Sequence, residues 1–452
     1  MIKKNTNTAL LDEELEYHKA QSLVEWIDEW SFKSANTATY THKIHRYPAM
    51  FIPQLVRKII EAYTQDGDTV LDIFNGSGST MVECCLLNRN SIGIEINPLA
   101  NLIAKVKTTA LNCDELIKHF DKLENEFLAK NVKYEVLDFK NIDFWFENSA
   151  KQNISKLLHL IAKLENEDER NFFNITLSEI VREISTCKHS GFKMHRDVAK
   201  VGKNITEDEF FDKYKKTYHK NLLAIKAFSN KVNSLSFIKN QIQGSSTDLQ
   251  KNIKAESVEL ILTSPPYGDS QTTVAYGQFS RLSSQCLGLT LDGLEDIGSL
   301  DNELLGGKRL AKDLYDGLCY RSLTIKNVAD FFVAKINAED LSKEDKKKME
   351  IRLNDVMSFY YDLDMCLKNG AYYLKRKKHF ILVTGSRVVK MIKLHTDLII
   401  AELAEHYGME LTAIFYRNIE NKRMPSKVSA TNVIGEHAPT MTRESIIVLR
   451  KQ

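Results

Sequence analysis

The sequence is poor in cysteine, in proline and in long apolar runs, and each shortage excludes a class of protein. Its 452 residues include seven cysteines and seven prolines. Cysteines this sparse do not build a disulfide framework. Cys84 and Cys85 are adjacent in an apolar helical pattern that is typical of core packing. The others lack the spacing of zinc ligands, so we expect no metal site; they are Cys113, Cys187, Cys286, Cys319 and Cys366.

No stretch approaches the roughly 20 apolar residues that span a bilayer, and the start of the chain lacks the apolar core of a secretory signal. We therefore expect no membrane association and a cytoplasmic location. The net charge of +2 does not decide whether nucleic acid is bound. Residues 186–239 carry twelve Lys or Arg and five Asp or Glu, and residues 374–428 carry eleven and five. Such stretches either follow phosphates or form solvated helix faces, and both interpretations remain open.

The chain alternates between α/β segments and longer helical segments. Residues 1–40 predict a helical lead-in, and residues 53–63 predict an amphipathic helix. Residues 101–240 are rich in Lys, Glu and Asn, contain no proline and predict a largely helical insertion. We divide the chain into residues 1–104 (lead-in, loop and first half of an α/β domain), 105–236 (helical insertion), 237–283 with 356–452 (remainder of that domain) and 284–355 (second insertion).

The best-defined segment predicts a strand, a glycine-rich turn, a helix and a second strand. The first strand covers residues 69–74, the turn residues 75–80, and the second strand residues 91–95. Glycine in the turn lets a ligand approach the backbone, and the following helix start offers N–H groups. Glu95, at the end of the second strand, is placed to accept bonds from two ribose hydroxyls.

Several ligands suit this βαβ unit. A P-loop is excluded because no Gly-Lys-Ser/Thr follows the turn, and a dinucleotide fingerprint lacks its third glycine because position 81 is Met. S-adenosylmethionine, a nicotinamide or flavin, and a turn without any ligand all remain compatible with the unit alone.

A second turn follows the apolar strand predicted at residues 257–263. It consists of Ser264, Pro265, Pro266 and Tyr267. The two prolines fix φ and remove two donors, so the turn is stiff and rich in acceptors. The Ser264 hydroxyl oxygen and the Pro265 carbonyl can accept both N–H bonds of an exocyclic amine, while Tyr267 stacks on a base flipped from the helix.

Together these motifs resemble the amino-methylating DNA methyltransferases, the N4-cytosine and N6-adenine family. The matching segments are residues 45–51 (motif X), 72–78 (motif I), 95–98 (motif II), 243–248 (motif III), 264–267 (the catalytic motif IV) and 417–425 (a late segment of N4-cytosine members). The resemblance covers residues 42–100, 240–285 and 365–450. It implies an α/β, Rossmann-like S-adenosylmethionine-dependent methyltransferase fold, with a mostly parallel sheet and helical insertions.

The resemblance also implies the partners and the site residues. S-adenosylmethionine is the implied cofactor, and double-stranded DNA with a flipped base is the implied substrate. Members with Ser at the first position of motif IV more often methylate cytosine, which favours cytosine N4 over adenine N6. The implied catalytic residues are Ser264, Pro265, Pro266 and Tyr267, and the implied cofactor-binding residues are Tyr47, Phe51, Asp72, Phe74, Gly76, Gly78, Thr80, Glu95, Asn97 and Asp248. A restriction endonuclease acting on the same site is a compatible partner, although no feature of the sequence indicates one.

The sequence departs from the family's α-type order, in which target recognition lies between motifs III and IV. Here sixteen positions separate Asp248 from Ser264. We therefore expect recognition in residues 105–236, with residues 284–355 as the second candidate. Residues 269–279 predict a loop that closes over the base, and residues 375–378 predict a solvated hairpin or helix end.

Other activities are weighed against this interpretation. Methylation at C5 of cytosine requires a thiolate in a Pro-Cys dipeptide, and no proline here precedes a cysteine. Adenine N6 methylation of DNA, amino-methylation of a base in RNA, and a silent DNA-binding subunit remain as alternatives. His42 and His45 are interpreted as packing or hydrogen-bonding groups, since the proton released on transfer can pass to water.

Overall fold

An eight-stranded sheet forms the centre of the computed structural model, which describes residues 24–188, 191–269, 273–294, 296–339, 341–390, 392–419, 427–429, 437–439 and 443–452. The strands of this sheet are β1 (Val24–Trp26), β2 (Thr69–Asp72), β3 (Asn90–Glu95), β4 (Lys239–Gln243), β5 (Val258–Thr263), β6 (Leu374–Thr384), β9 (Met409–Asn418) and β12 (Arg443–Lys451). Two short antiparallel pairs lie outside it: β7 (Arg387–Val389) with β8 (Ile392–Leu394), and β10 (Lys427–Ser429) with β11 (His437–Pro439).

The strand order is β1-β9-β12-β6-β5-β2-β3-β4. Every pair is parallel except the two that involve β12, which runs antiparallel to both β6 and β9. The prediction of a mostly parallel sheet is confirmed. Because β2 lies between β5 and β3, the turns that follow these three strands meet at one edge of the sheet.

Helices cover the sheet and form the additions to it. They are α1 (Pro53–Tyr63), α2 (Ser79–Leu86), α3 (Pro98–Lys107), α4 (Cys113–Leu128), α5 (Ile142–Trp145), α6 (Asn148–Ile161), α7 (Glu167–Ile184), α8 (Glu207–Val232), α9 (Tyr276–Cys286), α10 (Asp313–Arg321), α11 (Leu323–Asn337), α12 (Lys343–Tyr373) and α13 (Thr396–Glu405). Short 3₁₀ turns lie at Asp28–Ser31, Tyr40–Lys43, Val198–Lys200 and Ile297–Asn302.

The strands are apolar on both faces because both faces are covered. Val70 and Leu260 pack with α1 on one face, while their neighbours Leu71 and Ile261 pack with α12 and α13 on the other. Successive side chains of a strand point to opposite faces, so a sheet covered on both sides requires continuous apolar runs. This explains why β2 and β5 show no alternation of apolar and polar residues.

The first helical addition, residues 105–236, has an aromatic core. Phe120 of α4 stacks on Tyr218 of α8 with ring centroids 3.7 Å apart, and Phe173 of α7 stacks on the same tyrosine at 6.0 Å. Thr206 and Glu209 form a capping box at the start of α8. The core continues into Phe279 and other residues of α9, which joins the addition to the sheet domain.

Several predicted elements differ from the structure. Residues 24–26 form β1 and not a helical lead-in, while residues 1–23 of that prediction lie outside the described residues. Residues 375–378 lie at the start of β6, before the residues that pair with β12 and where the register with β5 shifts, and not in a hairpin or helix end. The unit boundaries after residues 104, 283 and 355 fall inside α3, α9 and α12, so each would interrupt a continuous helix.

In the part of the chain that the structure describes, no helix is long and apolar enough to cross a membrane. The same residues hold no group of three or more His, Cys, Asp or Glu side chains placed to bind a metal ion.

The contact between α2 and α3 depends on Gly78, and it can be tested against a matched glycine. Gly78 has a φ of +80°, and an added Cβ would lie 2.6 Å from the Cβ of Ala104. Gly67 has a φ of +83°, but nothing lies within 4 Å of its added Cβ. We expect Gly67→Ala to lower the free energy of unfolding by about 1 kcal/mol through backbone strain. Gly78→Ala should lower it by about 3 kcal/mol, because α3 must also shift. Urea denaturation measures both losses, and equal losses would contradict this account.

Candidate functional site

A cavity opens at the edge of the sheet where β2, β3, β4 and β5 end. Its empty space, including the open mouth, is about 890 Å³. It is lined by residues 47–51, 72–77, 79, 94–96, 244–246, 264, 266, 276 and 303–305. The glycine turn and the Ser-Pro-Pro-Tyr turn therefore share one cavity.

The buried Asp72 side chain joins these two turns. Its Oδ1 accepts bonds from the Thr263 hydroxyl at 2.6 Å and the Phe74 backbone N–H at 3.0 Å, and its Oδ2 accepts from the Thr80 hydroxyl at 2.6 Å. Burial raises the pKa of Asp72 to about 6, and the three donors oppose that rise. Above that pH the carboxylate is ionised, and it holds the ends of β2 and β5 together.

Glu95 fixes the glycine turn from the neighbouring strand. Its Oε2 accepts the backbone N–H of Gly76 at 2.8 Å, and its Oε1 accepts that of Asn97 at 2.8 Å. Gly76 has a φ of +48°, where a side chain would be strained. Burial raises the pKa of Glu95 to about 7. Each carboxylate oxygen has further acceptor capacity, so Glu95 can receive hydroxyl groups of a ligand.

Asn75, also in this turn, is a polar group that lacks a protein partner. Its side-chain Oδ1 and Nδ2 are buried and meet no hydrogen-bond partner among the described residues. Burying an amide without hydrogen-bond partners costs free energy, and most buried amides in native proteins have such partners. The amide packs against Gly93 of β3, where an added Cβ would lie 2.5 Å from Asn75 Cγ, so a side chain at position 93 would displace it.

The Ser-Pro-Pro-Tyr turn offers an acceptor to the cavity. The Ser264 hydroxyl donates its hydrogen to the backbone carbonyl of Val383 on β6, at an O–O distance of 2.9 Å. With its hydrogen engaged, the hydroxyl oxygen has only lone pairs left for a ligand. Pro265 is buried behind it, and Pro266 lines the cavity.

A buried ion pair holds Tyr267. The Tyr267 hydroxyl donates to Glu444 Oε1 at 2.8 Å, and the other oxygen of Glu444 accepts from the Arg417 guanidinium. Arg417 is 2% exposed and also donates to the Trp30 carbonyl at 3.2 Å. Burial and the Glu444 charge raise the pKa of Tyr267 well above its usual value. The phenol therefore stays protonated, and its bond to Glu444 persists.

Two tyrosines form one side of the cavity. The ring centroids of Tyr47 and Tyr276 are 6.0 Å apart. The Asn97 side chain donates to the Tyr47 hydroxyl at 3.0 Å and to the Ser280 hydroxyl at 2.7 Å, and its oxygen caps α3 by accepting the N–H of Leu99. These bonds occupy Asn97 fully, so it positions Tyr47 and α9.

The second insertion supplies a wall that the sequence did not indicate. Residues 303–305 line the cavity, and the Asp301 carboxylate accepts the backbone N–H groups of Gly277 and Gln278 at 2.9 and 3.1 Å. This carboxylate caps the start of α9, which has no side-chain cap of its own. The one signal in the sequence is the pair Gly306 and Gly307, where an added Cβ would collide with neighbouring atoms.

The structure brings most of the predicted site residues together, but not all. Those that line the cavity are Tyr47, Phe51, Asp72, Phe74, Gly76, Glu95, Ser264 and Pro266. Those that do not line it are Gly78, Thr80, Asn97, Asp248, Pro265 and Tyr267. Gly78, Thr80 and Asn97 act through helix starts and hydrogen bonds within the protein.

Asp248 is the clearest departure, because its side chain is exposed and outside the cavity lining. The turn after β4 brings Ser245 and Ser246 to the cavity instead. Asn369 of α12 then donates to the carbonyl oxygens of Ser246 and Thr247 at 3.0 and 2.9 Å, and Asp248 follows on the outer side. The acid expected from motif III is thus replaced at the cavity by two serines.

The arrangement of groups has a defined chemical capacity. Glu95 can accept two hydroxyls, the apolar surfaces of Phe74, Ile96 and Leu305 can enclose a flat ring, and the Ser264 oxygen can accept an N–H group. A nucleoside-containing ligand and a second, amine-bearing ring therefore fit the two ends of one cavity.

Comparison with known proteins finds relatives that match different lengths of this chain. A family model described as DNA methylase matches residues 3–105. The type II methyltransferase M.MvaI of Kocuria varians is 35% identical over 440 residues, which is 93% of this chain and 93% of that protein. The type II methyltransferase M.MjaII of Methanocaldococcus jannaschii is 30% identical over 215 residues, which is 37% of this chain and 39% of that protein.

Solved structures with some likeness include two methyltransferases. An rRNA methyltransferase, aviRa, of Streptomyces viridochromogenes has a TM-score of 0.31 at 10% identity, covering 94% of each chain. A TehB-like S-adenosylmethionine-dependent methyltransferase of Corynebacterium glutamicum has a TM-score of 0.28 at 9% identity, covering 88% of this chain and 87% of that one. With both scores below 0.5, the fold assignment rests on the strand order and not on these likenesses.

The cavity suits the methyl donor of such enzymes. Glu95 matches a ribose diol, and the apolar walls match an adenine ring. The relative that is 35% identical spans nearly the whole chain, the helical additions included. The chain therefore belongs to the DNA amino-methyltransferase family, and S-adenosylmethionine is its methyl donor.

Proposed function

We propose that the protein methylates the exocyclic N4 of a cytosine that is flipped out of double-stranded DNA. The observation that carries this proposal is the shared cavity, in which Ser264 and Pro266 lie with Gly76 and Glu95. A methyl donor and a base held by these residues would be neighbours. Direct transfer needs that proximity, with reacting atoms about 3–3.5 Å apart.

The Ser-Pro-Pro-Tyr turn would act on the amine. The nitrogen lone pair of a base amine is delocalised into the ring, which makes it a poor nucleophile. The Ser264 oxygen and the Pro265 carbonyl would accept its two N–H bonds, favour a pyramidal nitrogen and stabilise the positive charge that develops. S-adenosylmethionine supplies an electrophilic methyl group on a sulfonium. The N–C bond forms as the C–S bond breaks, its electron pair stays on sulfur, and the amine proton passes to water.

Tyr267 would stack on the flipped base. Its hydrogen bond to Glu444 and the Glu444–Arg417 ion pair fix the ring without a bond to the ligand. A ring that is already fixed loses little conformational entropy when the base arrives. The phenol remains neutral across the working pH range, since its pKa is raised well above the usual value.

The cofactor would be held from both sides of the glycine turn. Glu95 would accept the ribose hydroxyls, Phe74 and Leu305 would contact the adenine ring, and Tyr47 and Phe51 would lie towards the methionine end. Asp72, Thr80 and Asn97 would support these groups from behind, through the bonds described above.

Target recognition would come from the first helical addition, residues 105–236. Its segment 191–203 is attached to α9 where the Met194 backbone N–H donates to Gln278 Oε1 at 3.0 Å. Phe192 in this segment is 46% exposed, and its ring lies 6.3 Å from that of Phe279. Residues 188–203 include five Lys or Arg and one Asp. A basic segment with an exposed aromatic ring beside the cavity suits contact with phosphates and an unstacked base step.

Identification of the methylated nucleoside tests the choice of base and of nucleic acid. We expect DNA incubated with the protein and labelled S-adenosylmethionine to yield N4-methyl-2′-deoxycytidine on digestion and mass spectrometry. RNA in a parallel reaction should remain unlabelled. Recovery of N6-methyl-2′-deoxyadenosine alone would establish the adenine alternative. Label in RNA alone would show that the substrate is RNA and not DNA.

Ser264→Ala tests the acceptor role of the turn, with Ser257→Ala as its control. Ser257 lies immediately before β5, at the opposite end of the same strand, and its hydroxyl donates to the Lys254 carbonyl. Ser264→Ala should lower the turnover number on the order of a hundredfold or more, the cost of removing one such hydrogen bond to a developing charge. Cofactor affinity by calorimetry should change little, and Ser257→Ala should leave both quantities unchanged. A Ser264→Ala variant with full turnover contradicts the role.

Paired lysine substitutions distinguish the two candidate recognition regions. Lys188 and Lys203 are exposed in the first addition, while Lys343 and Lys347 are exposed on α12. Replacing Lys188 and Lys203 by Gln should reduce the slope of log K for DNA against log salt concentration by about 2, since each phosphate contact contributes about 0.9. The matched Lys343→Gln, Lys347→Gln protein should keep the wild-type slope. The reverse result would assign recognition to the second addition.

A further inference from the structure

Lys107 is a buried lysine that has no carboxylate partner among the described residues. It ends α3 and is fully buried. Its Nζ lies 3.1 Å from Ser77 Oγ and 4.0 Å from Met50 Sδ. A lysine carries three N–H donors, and a sulfur atom is a weak acceptor. No carboxylate of the described residues lies within 4.0 Å of this Nζ, although ion pairs to that distance are common elsewhere in the chain.

Two acidic side chains, on the helices α2 and α7 that pack against α3, have partners other than Lys107. Glu83 of α2 pairs with Arg57 and His42 at 2.7 Å each. Glu179 of α7 accepts the backbone N–H of Arg46 at 2.8 Å and pairs with Lys220 at 3.4 Å. The Nδ1 atom of His45 also lies 3.7 Å from Glu179 Oε2. Taken together, these partners leave a protonated Lys107 without a matching negative charge among the described residues.

The position of Lys107 determines which anion can reach it. Ser77 and Met50, the two residues its Nζ contacts, both line the cofactor cavity. The side chain has no exposed surface, so a DNA phosphate cannot reach it from outside. Lys107 does not itself line the cavity, so a small anion inside the cavity reaches the ammonium where the Ser77 and Met50 side chains move aside. S-adenosylmethionine carries one such group, the carboxylate of its methionine moiety.

We propose that the Lys107 ammonium binds the carboxylate of the methionine moiety of the cofactor. A buried cation without a counter-ion is costly, and the arriving carboxylate removes that cost, so the ion pair strengthens cofactor binding. The proposal rests on the cofactor and on no assumption about the target base. Its failure would leave cytosine methylation untouched.

Protonation of Lys107 makes the proposal visible in the pH dependence of binding. Burial lowers the pKa of Lys107 to about 7, and the Glu179 charge opposes this. Burial also lowers the pKa of His42 and of His45, so neither histidine is a competing cation at neutral pH. A bound carboxylate would raise the pKa of Lys107 again. Binding should therefore take up protons above about pH 7, and affinity should fall as pH rises through that range.

The test compares two ligands and three proteins by calorimetry at pH 7. The ligands are S-adenosylmethionine and its decarboxylated analogue, and the proteins are the wild type, Lys107→Met and Lys156→Met. Lys156 is a matched control, since it is 4% exposed but pairs with Glu207 in the first helical addition. Lys107→Met should weaken S-adenosylmethionine binding on the order of tenfold, as expected for loss of a charged hydrogen bond, and leave the analogue's affinity unchanged. Lys156→Met should bind both ligands like the wild type.

A second measurement uses the unaltered protein. At pH 8, binding enthalpies in two buffers of different ionisation enthalpy give the number of protons taken up. The wild type should take up protons with S-adenosylmethionine and fewer with the decarboxylated analogue. In Lys107→Met this difference between the ligands should vanish, while any dependence that comes from Glu95 and Asp72 remains. Equal affinity of Lys107→Met and wild type for S-adenosylmethionine, or an equal loss for both ligands, would overturn the proposal.

Discussion

The buried carboxylate of Asp72 is the constraint on which the site depends. It receives the hydroxyls of Thr80 and Thr263 and the N–H of Phe74, and thereby fixes the helix start, one strand end and the turn between them. The glycine turn and the Ser-Pro-Pro-Tyr turn could each fold locally without the other. Their relative position, which decides whether a methyl group can pass between two ligands, comes from the parallel pairing of β2 with β5 and from the bonds to Asp72 that join the ends of these strands. Burial makes that carboxylate costly and raises its pKa to about 6, so all three donors are needed.

The parts of the fold that sequence analysis predicted are those in which local pattern and ligand chemistry agree. The β2–α2–β3 unit, β5 and α1 were predicted within about two residues at each end, because continuous apolar runs end at glycine, proline or a capping residue. The same agreement extends to the cavity. Ser264, Glu95 and Phe74 line it, since motifs at the carboxyl ends of neighbouring parallel strands must meet.

The rest could not be predicted because it depends on contacts between distant segments. The three-residue β1 has too little sequence to show a period and is defined by its pairing with β9. Glu444 and Arg417 are ordinary charges in the sequence, and only the adjacency of β12 and β9 places them behind Tyr267. Lys107 ends a helix like many exposed lysines, and its burial follows from the loop before α1 that covers it.

The wall formed by residues 303–305 ties the second addition to the cavity that the two turns share. The second addition looks separable in the sequence, yet it lines the cavity and caps α9 through Asp301. A chimera that takes residues 284–355 from another member would therefore import a new surface against the methyl donor. Grafts confined to the outer helices α10 and α11 would leave that surface intact, whereas grafts that include the preceding turn would alter donor affinity together with any change of target.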